Sequence, residues 1–154
     1  MAVRGSRPAP DDDWDTVFFR LWTAEVEPRL GHGRPALVCD YPASQAALAR
    51  VRPDPEWPVA ERFELYVKGI ELANAFHELN DPAEQRRRHM ADRGARRRLG
   101  AVVYPLDEAF LGALEAGMPP AAGIAFGLDR LVALLAGRSG VMSLGGLAES
   151  PSRS

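Results

Sequence analysis

ERFELYVKGIELANAFHELND, residues 61–81, decides the fold because its pattern predicts a β-hairpin. Phe63, Leu65 and Val67 alternate with polar or aromatic residues, and a second largely apolar run follows Gly69. One long helix is the competing interpretation, since residues seven apart also share a helical face. The glycine in mid-run and the β-branched and aromatic content favour two strands joined by a tight turn.

Three glutamates, Glu64, Glu71 and Glu78, lie seven residues apart in this stretch. With Lys68 and Gly69 in the turn, Glu64 and Glu71 become diagonal neighbours, their backbones roughly 7–8 Å apart. Two carboxylates at that distance repel each other unless a cation lies between them. No cationic partner is evident apart from a hard divalent ion, Mg²⁺ before Ca²⁺. The alternative is two solvent-facing glutamates on an exposed strand.

Asn74 and Glu78 are separated by an even number of positions along the second strand, whereas Glu71 is an odd number of positions from each of them. A regular strand would place them on opposite faces, so a common pocket requires a β-bulge between Glu71 and Glu78. Asn74 and Glu78 would then offer oxygen acceptors to an ammonium group.

GIAFGLDRL, residues 123–131, predicts a strand that ends at Gly127 and a helix that begins at Leu128 or Asp129. Arg130 falls in the first helical turn, where the helix dipole disfavours a cation. A salt bridge, for example to Asp129, is one explanation. The other is that Arg130 and the helix N-terminus together bind an anion, which beside a carboxylate-bound Mg²⁺ would be a polyphosphate.

The remaining pattern predicts an α+β fold, an antiparallel sheet flanked by helices. We expect a helix from Trp14, a strand over ALVCDY, a short helix opened by Ser44, and a helix capped by Asp81 with Pro82 first. Further helices are expected near PLDEAFLGALEAG and LDRLVALLAG. Residues 1–10 are expected to be a disordered tail and 138–154 a flexible one. RRRHMADRGARRR is either a docking surface for acidic protein or RNA, or a solvated face.

Composition excludes several classes of protein. The net charge is −2 over 154 residues, so bulk charge does not indicate a nucleic-acid binder. No apolar run approaches the ~18 residues that span a bilayer, and MAVRGSRPAP has no apolar core typical of a secretory signal. Cys39 is the single cysteine, which suits a reducing cytosol, and we predict a cytoplasmic protein without membrane contact.

At these residues the chain resembles a known family. GIELANAFHELND and GIAFGLDRL resemble the second half of a class II lysyl-tRNA synthetase catalytic domain, and the latter matches motif 3. More closely, DYPASQAALARV, VAERFELYVKGIELANAFHEL and GMPPAAGIAFGLDRLVAL resemble the paralogues without an anticodon domain that attach (R)-β-lysine to elongation factor P. Ile70, His77 and Ala125 match those ligases better than the true synthetases, so the resemblance argues against tRNA as a partner.

The resemblance implies roles residue by residue. Glu64 and Glu71 would hold Mg-ATP, and Arg130 would hold the terminal phosphate as the catalytic residue. The implied nucleotide contacts also include the backbone at Leu72 and Gly127. Asn74 and Glu78 would bind the amino groups of a lysine-like substrate, and the Ala125 methyl would shape its pocket. The implied reaction activates the amino acid as its adenylate and transfers it to a lysine of elongation factor P.

Motif 1, which forms a dimer, and motif 2, whose arginine grips the α-phosphate, have no match in these 154 residues. Residues 11–137 are therefore expected to be the C-terminal half of the catalytic domain, with little adenylate formation and a tendency to self-associate or dimerise. A fragment of a lysyl-tRNA synthetase and an inactive paralogue acting as a binding module remain the alternatives.

Overall fold

The computed structural model describes residues 9, 12–54 and 56–138. The tails predicted at 1–10 and 138–154 lie almost entirely outside these residues. None of the helices within the described ranges is long and apolar enough to cross a membrane.

The fold is an antiparallel sheet with four α-helices, which confirms the predicted α+β class. Five strands form one sheet. Four of them follow the order β1-β3-β4-β5, and the fifth, β2, pairs with β3. The strands are β1 (Ala36–Pro42), β2 (Val51–Arg52), β3 (Val59–Val67), β4 (Ile70–His77) and β5 (Ala122–Phe126). The helices are α1 (Trp14–Leu21), α2 (Pro82–Arg98), α3 (Glu108–Glu115) and α4 (Leu128–Leu135).

The predicted hairpin is confirmed and the long helix is excluded. Strands β3 and β4 are neighbours in the sheet and are joined by the two-residue turn at Lys68 and Gly69. Both turn residues have positive φ, 52° and 73°, as a type I′ turn requires. Their amides donate to the carbonyls of Gly31 and Leu30, so the turn is held by the preceding loop.

The chain divides into two compact units, and strands β1, β3, β4 and β5 each contribute residues to both. In the described ranges, the first unit contains residues up to 39, 63–75 and 124–138. Its buried side chains are Glu64, Tyr66, Leu72, Ala73, Ala75 and Ala133.

The second unit contains residues 40–62 and 76–123, and its core is built from small and aliphatic side chains together with Tyr41 and two buried glutamines. The helix predicted from Ser44 is wrong beyond its first turn. Only Ala43–Gln45 is helical, as a 3-10 turn, and Ala47 has a φ of 49°. Instead of continuing, the chain forms an isolated bridge between Ala49 and Glu78 and pairs β2 with β3.

The helix predicted from Trp14 is present but changes its winding. Asp13 caps α1 by accepting from the Thr16 amide, and a π-helical segment, Trp22–Val26, follows directly. The rings of Trp14, Phe18 and Trp22 stack in series, which confirms the helical spacing of these aromatics. Helix α2 starts as predicted, with Asp81 accepting from two backbone amides and Pro82 at its first turn.

Candidate functional site

Glu64 is a buried carboxylate at the centre of a polar cluster in the first unit. Its side chain is on β3, and the residue is only 7 % exposed. The Tyr66 hydroxyl donates to Glu64 Oε2 at 2.5 Å, and Asn74 Nδ2 donates to Glu64 Oε1 at 3.3 Å. Tyr66 is fully buried, and the edge of its ring meets Trp22 with the centroids 6.4 Å apart. The cluster therefore orients one carboxylate of the predicted pair.

The Glu64–Asn74 contact bears on the predicted bulge. A regular two-residue hairpin would pair Glu64 with Ala73, which would place Asn74 on the opposite face of the sheet. Asn74 instead bonds to Glu64, and Leu72 and Ala73 are buried in succession rather than alternately. A β-bulge between Glu71 and Glu78 would bring Asn74 to the face of Glu64 in this way, and it stays a prediction.

The side-chain oxygen of Asn74 is a buried hydrogen-bond acceptor. Its Oδ1 atom is buried and has no hydrogen-bond partner within the described part of the chain. A buried amide oxygen without a donor costs about 1–3 kcal/mol, so such an atom points to a ligand that donates. An ammonium group, which donates three hydrogen bonds and accepts none, has the required chemistry.

Arg130 lies against Glu71, also within the first unit. Its Nη1 donates to the Glu71 carbonyl oxygen at 2.7 Å and stands 3.7 Å from Glu71 Oε2. The absence of a cationic partner that we inferred from the sequence is therefore wrong for Glu71. The salt bridge considered for Arg130 is also made with Glu71 rather than with Asp129. Glu71 and Arg130 are both partly exposed, so their contact leaves oxygen and guanidinium atoms open to solvent.

Gly127 makes the close approach of Arg130 feasible. Its amide donates to the Leu72 carbonyl at 2.8 Å, which joins β4 to the start of α4, and α4 begins at Leu128 as predicted. A Cβ added at Gly127 would stand 3.1 Å from Arg130 Cδ and would press on that side chain. Leu72 and Gly127, both expected along the nucleotide, thus bond to each other through these two groups. Ala125 is an exposed residue of β5.

Glu78 belongs to the second unit and follows directly after β4. Its amide donates to the Ala121 carbonyl at 2.9 Å, and its carboxylate lies over Gly123. A Cβ at Gly123 would come within 2.2 Å of Glu78 Oε1, so any larger residue would displace the carboxylate. His77, next to it, places Nδ1 2.7 Å from Glu61 Oε2, and Arg50 contacts its Nε2 at 3.4 Å.

Seven of the eight predicted site residues therefore lie in the first unit, and only Glu78 lies in the second. The seven are Glu64, Glu71, Leu72, Asn74, Ala125, Gly127 and Arg130. No group of three or more His, Cys, Asp or Glu side chains suited to a metal occurs within the described residues. Sequence reasoning missed Tyr66 and Gly123. Tyr66 shares strand parity with Glu64, which was an available signal, whereas the fit of Gly123 to Glu78 depends on a contact between distant segments.

Comparison with known proteins agrees with the resemblance found in the sequence. The family model of class II tRNA synthetases (D, K and N) matches residues 22–144. Several curated relatives are named elongation factor P–(R)-β-lysine ligase. That of Vibrio cholerae is 51% identical over 129 residues, which is 83% of this chain and 39% of the relative.

Two further relatives with the same name give similar values. The Klebsiella pneumoniae protein is 47% identical over 131 residues, covering 85% of this chain and 40% of its own length. The Haemophilus influenzae protein is 50% identical over 122 residues, covering 79% and 38%. The chain thus spans about two fifths of the relatives that it matches. With its antiparallel sheet and its strand, glycine and arginine at the start of α4, the chain belongs to the class II tRNA synthetases of the D, K and N group.

Proposed function

We propose that this chain is the nucleotide- and amino-acid-binding part of a ligase that activates a lysine-like amino acid with ATP and transfers it to elongation factor P. The observation that carries the proposal is the Arg130–Glu71 pair, a guanidinium and a carboxylate side by side at the start of α4. The names of the curated relatives agree with this substrate and acceptor.

The donor chemistry fits a magnesium nucleotide, and the class II synthetase family generally uses ATP and Mg²⁺. Glu64 and Glu71 supply carboxylate oxygens, the ligands that Mg²⁺ prefers, and it usually binds through one or two carboxylates plus phosphate oxygens. Glu64 accepts two hydrogen bonds from Tyr66 and Asn74, which hold its side chain in place for such a role. When bound, the ion would neutralise phosphate charge.

Arg130 has a distinct task in this proposal. Its side chain is partly exposed and is held by a hydrogen bond to the Glu71 carbonyl, so its other guanidinium N–H groups can donate to a terminal phosphate. Because a carboxylate is already a nucleophile, attack on the α-phosphate needs positioning and charge neutralisation rather than a general base. In that step a bond forms between the carboxylate oxygen and the α-phosphorus while pyrophosphate leaves. The acceptor lysine amine then takes the acyl group, loses a proton, and releases AMP.

Binding of the amino acid in this proposal depends on oxygen atoms that accept hydrogen bonds. The Oδ1 atom of Asn74, which has no hydrogen-bond partner in the described residues, would receive an ammonium group of the substrate. Ala125, where the true synthetases tend to have glycine, would favour β-lysine over α-lysine by reshaping the pocket.

Binding of Mg-ATP to this 154-residue chain tests the proposal. We expect weak binding by calorimetry, abolished by EDTA and by Glu71→Gln, which keeps the size of the side chain and removes its charge. The exposed Glu56→Gln variant is the matched control and should bind as the wild type does. Equal affinity of the wild type and Glu71→Gln would reject the metal and nucleotide role of Glu71.

Pyrophosphate exchange with (R)-β-lysine and with α-lysine tests the reaction. A missing preorganised charge contact costs about 10²–10³ in rate, and no motif 2 arginine is recognisable in these residues. We therefore expect exchange far below the ~1 s⁻¹ of a working enzyme. Exchange at that rate would show that motif 2 is dispensable, and a preference for α-lysine would contradict the role of Ala125.

A further inference from the structure

The arginine-rich helix α2 has two halves that differ in how their charges are used. In the first half, Arg86 meets Glu108 at 2.8 Å, and Arg87 and Arg88 meet Glu84 at 2.6 and 2.8 Å. Arg88 also donates to backbone carbonyls of the loop before β2. These arginines are neutralised within the second unit and hold α2 in place.

The second half, RGARRR at residues 93–98, contains four arginines and no acid. Arg96 bonds to Asp92 at 2.9 Å. Within the described residues no carboxylate lies within 4.0 Å of Arg93, Arg97 or Arg98. The Nε atom of Arg93 is in addition buried without a hydrogen-bond partner in this part of the chain. The helix dipole favours cations in the last turn, but it supplies no partner for a buried guanidinium nitrogen.

Exposed apolar side chains occur along the same stretch of chain as these arginines. Leu99 is 82% exposed and Tyr104 is 62% exposed, and Val102 and Met90 are also open to solvent. The Arg96 guanidinium lies over the Tyr104 ring at 5.4 Å. Beside them is a cavity of about 190 Å³, lined by His89, Asp92, Arg93, Arg96, Tyr104, Pro105, Leu106 and Asp107. Exposed aromatic, methionine and arginine side chains in one patch are typical of protein interfaces.

The same patch fits nucleic acid less well. Phosphate contacts depend on charge and need no apolar surface beside them. Four large apolar side chains exposed within fifteen residues of α2 and the following loop are therefore unexplained by a phosphate backbone. A partner that presents carboxylates and an apolar side chain together accounts for both features.

We propose that residues 93–106 form a docking surface for an acidic segment of a protein partner, and that this partner is the acceptor protein of the transfer. The naming of that partner as elongation factor P rests on the proposed function. Carboxylates of the partner would pair with Arg97 and Arg98 at the rim, and an apolar side chain would enter the cavity against Tyr104.

The test uses this chain and purified elongation factor P of Vibrio cholerae at low ionic strength, with the dissociation constant measured by calorimetry. Arg98→Glu should weaken binding about three- to ten-fold, since it turns an attraction at the surface into a repulsion. Arg34→Glu makes the same change in net charge at an exposed site of the first unit and should leave the affinity unchanged. Tyr104→Ala, which changes no charge, should weaken binding several-fold.

Three results would overturn the inference. Elongation factor P could fail to bind, the two charge reversals could weaken binding equally, or tRNA could bind more tightly with the same dependence on Arg98 and none on Tyr104. Mg-ATP binding by the same preparations separates the two proposals. Loss of partner binding with Glu71-dependent nucleotide binding intact would remove only the docking surface, and the reverse result would remove only the nucleotide site.

Discussion

Tyr66→Phe removes a single oxygen atom from the centre of the candidate site. That hydroxyl donates at 2.5 Å to the carboxylate of Glu64, and the two residues are 1% and 7% exposed. A hydrogen bond to a charged group contributes about 1.5–3 kcal/mol to stability, and water reaches a buried carboxylate poorly. The ring itself stays, so its packing against Trp22 is retained. The free energy of unfolding should therefore fall by about 1.5–3 kcal/mol.

Urea denaturation followed by circular dichroism measures this change. For a domain of this size the midpoint should drop by about 0.5–1.5 M without a change in slope, and the melting temperature by about 3–12 °C. Tyr104→Phe deletes the same atom from an exposed ring and should change stability by less than about 0.5 kcal/mol.

A double-mutant cycle assigns the loss to Glu64. In a Glu64→Gln background the acceptor is no longer charged, so Tyr66→Phe should cost about 1 kcal/mol less than in the wild type. If the cost is the same in both backgrounds, or below about 0.5 kcal/mol in the wild type, the hydroxyl does not support the Glu64 carboxylate and the reasoning is refuted.

Two further predictions concern the framework around the site. Hydrogen bonds from Arg87, and to a smaller extent from Arg88, lower the pKa of Glu84 from 4.5 to about 2, so the stabilisation is present above pH 4.5 and is lost as the pH falls towards 2. The difference in unfolding free energy between the wild type and Glu84→Gln, measured by urea titration from pH 6 to 2, should therefore shrink over that window. A constant difference would contradict this prediction. Gly31 and Gly33 both have positive φ, but a Cβ on Gly31 would meet the Tyr66 carbonyl at 2.4 Å, whereas a Cβ on Gly33 would meet no atom within 4 Å. Gly33→Ala should lower the free energy of unfolding by about 1–2 kcal/mol, and Gly31→Ala should lower it by about 1–3 kcal/mol more. Equal unfolding midpoints of the two variants would disprove the close approach at Gly31.

The hairpin at residues 61–81 shows how much local pattern can predict. The alternation of β3, the turn at Lys68 and Gly69 and the caps of α1 and α2 were all predictable, because period, turn and cap preferences act over a few residues. The strand, glycine and arginine that open α4 were predictable for the same reason, and the family followed from their motifs.

Local pattern failed where pairing between distant segments prevailed. SQAALARV has the composition of a helix, yet Ala49 bridges to Glu78 and Val51 pairs with Ala60, so the chain leaves the helix after one turn. The gain from backbone pairing in a sheet exceeds the weak preference of a few residues for helix.

The amino-acid sequence by itself determined the hairpin, the four α-helices, the family and the identity of the candidate carboxylates. Only the tertiary structure decided which partner each charge has. Glu71 meets Arg130 rather than lacking a cation, and Glu64 accepts a hydrogen bond from the Tyr66 hydroxyl. In α2, Arg86 pairs with Glu108 and Arg96 pairs with Asp92. The physical reason is that charges are paired across space, between residues as far apart as Glu71 and Arg130, and no local period encodes that distance.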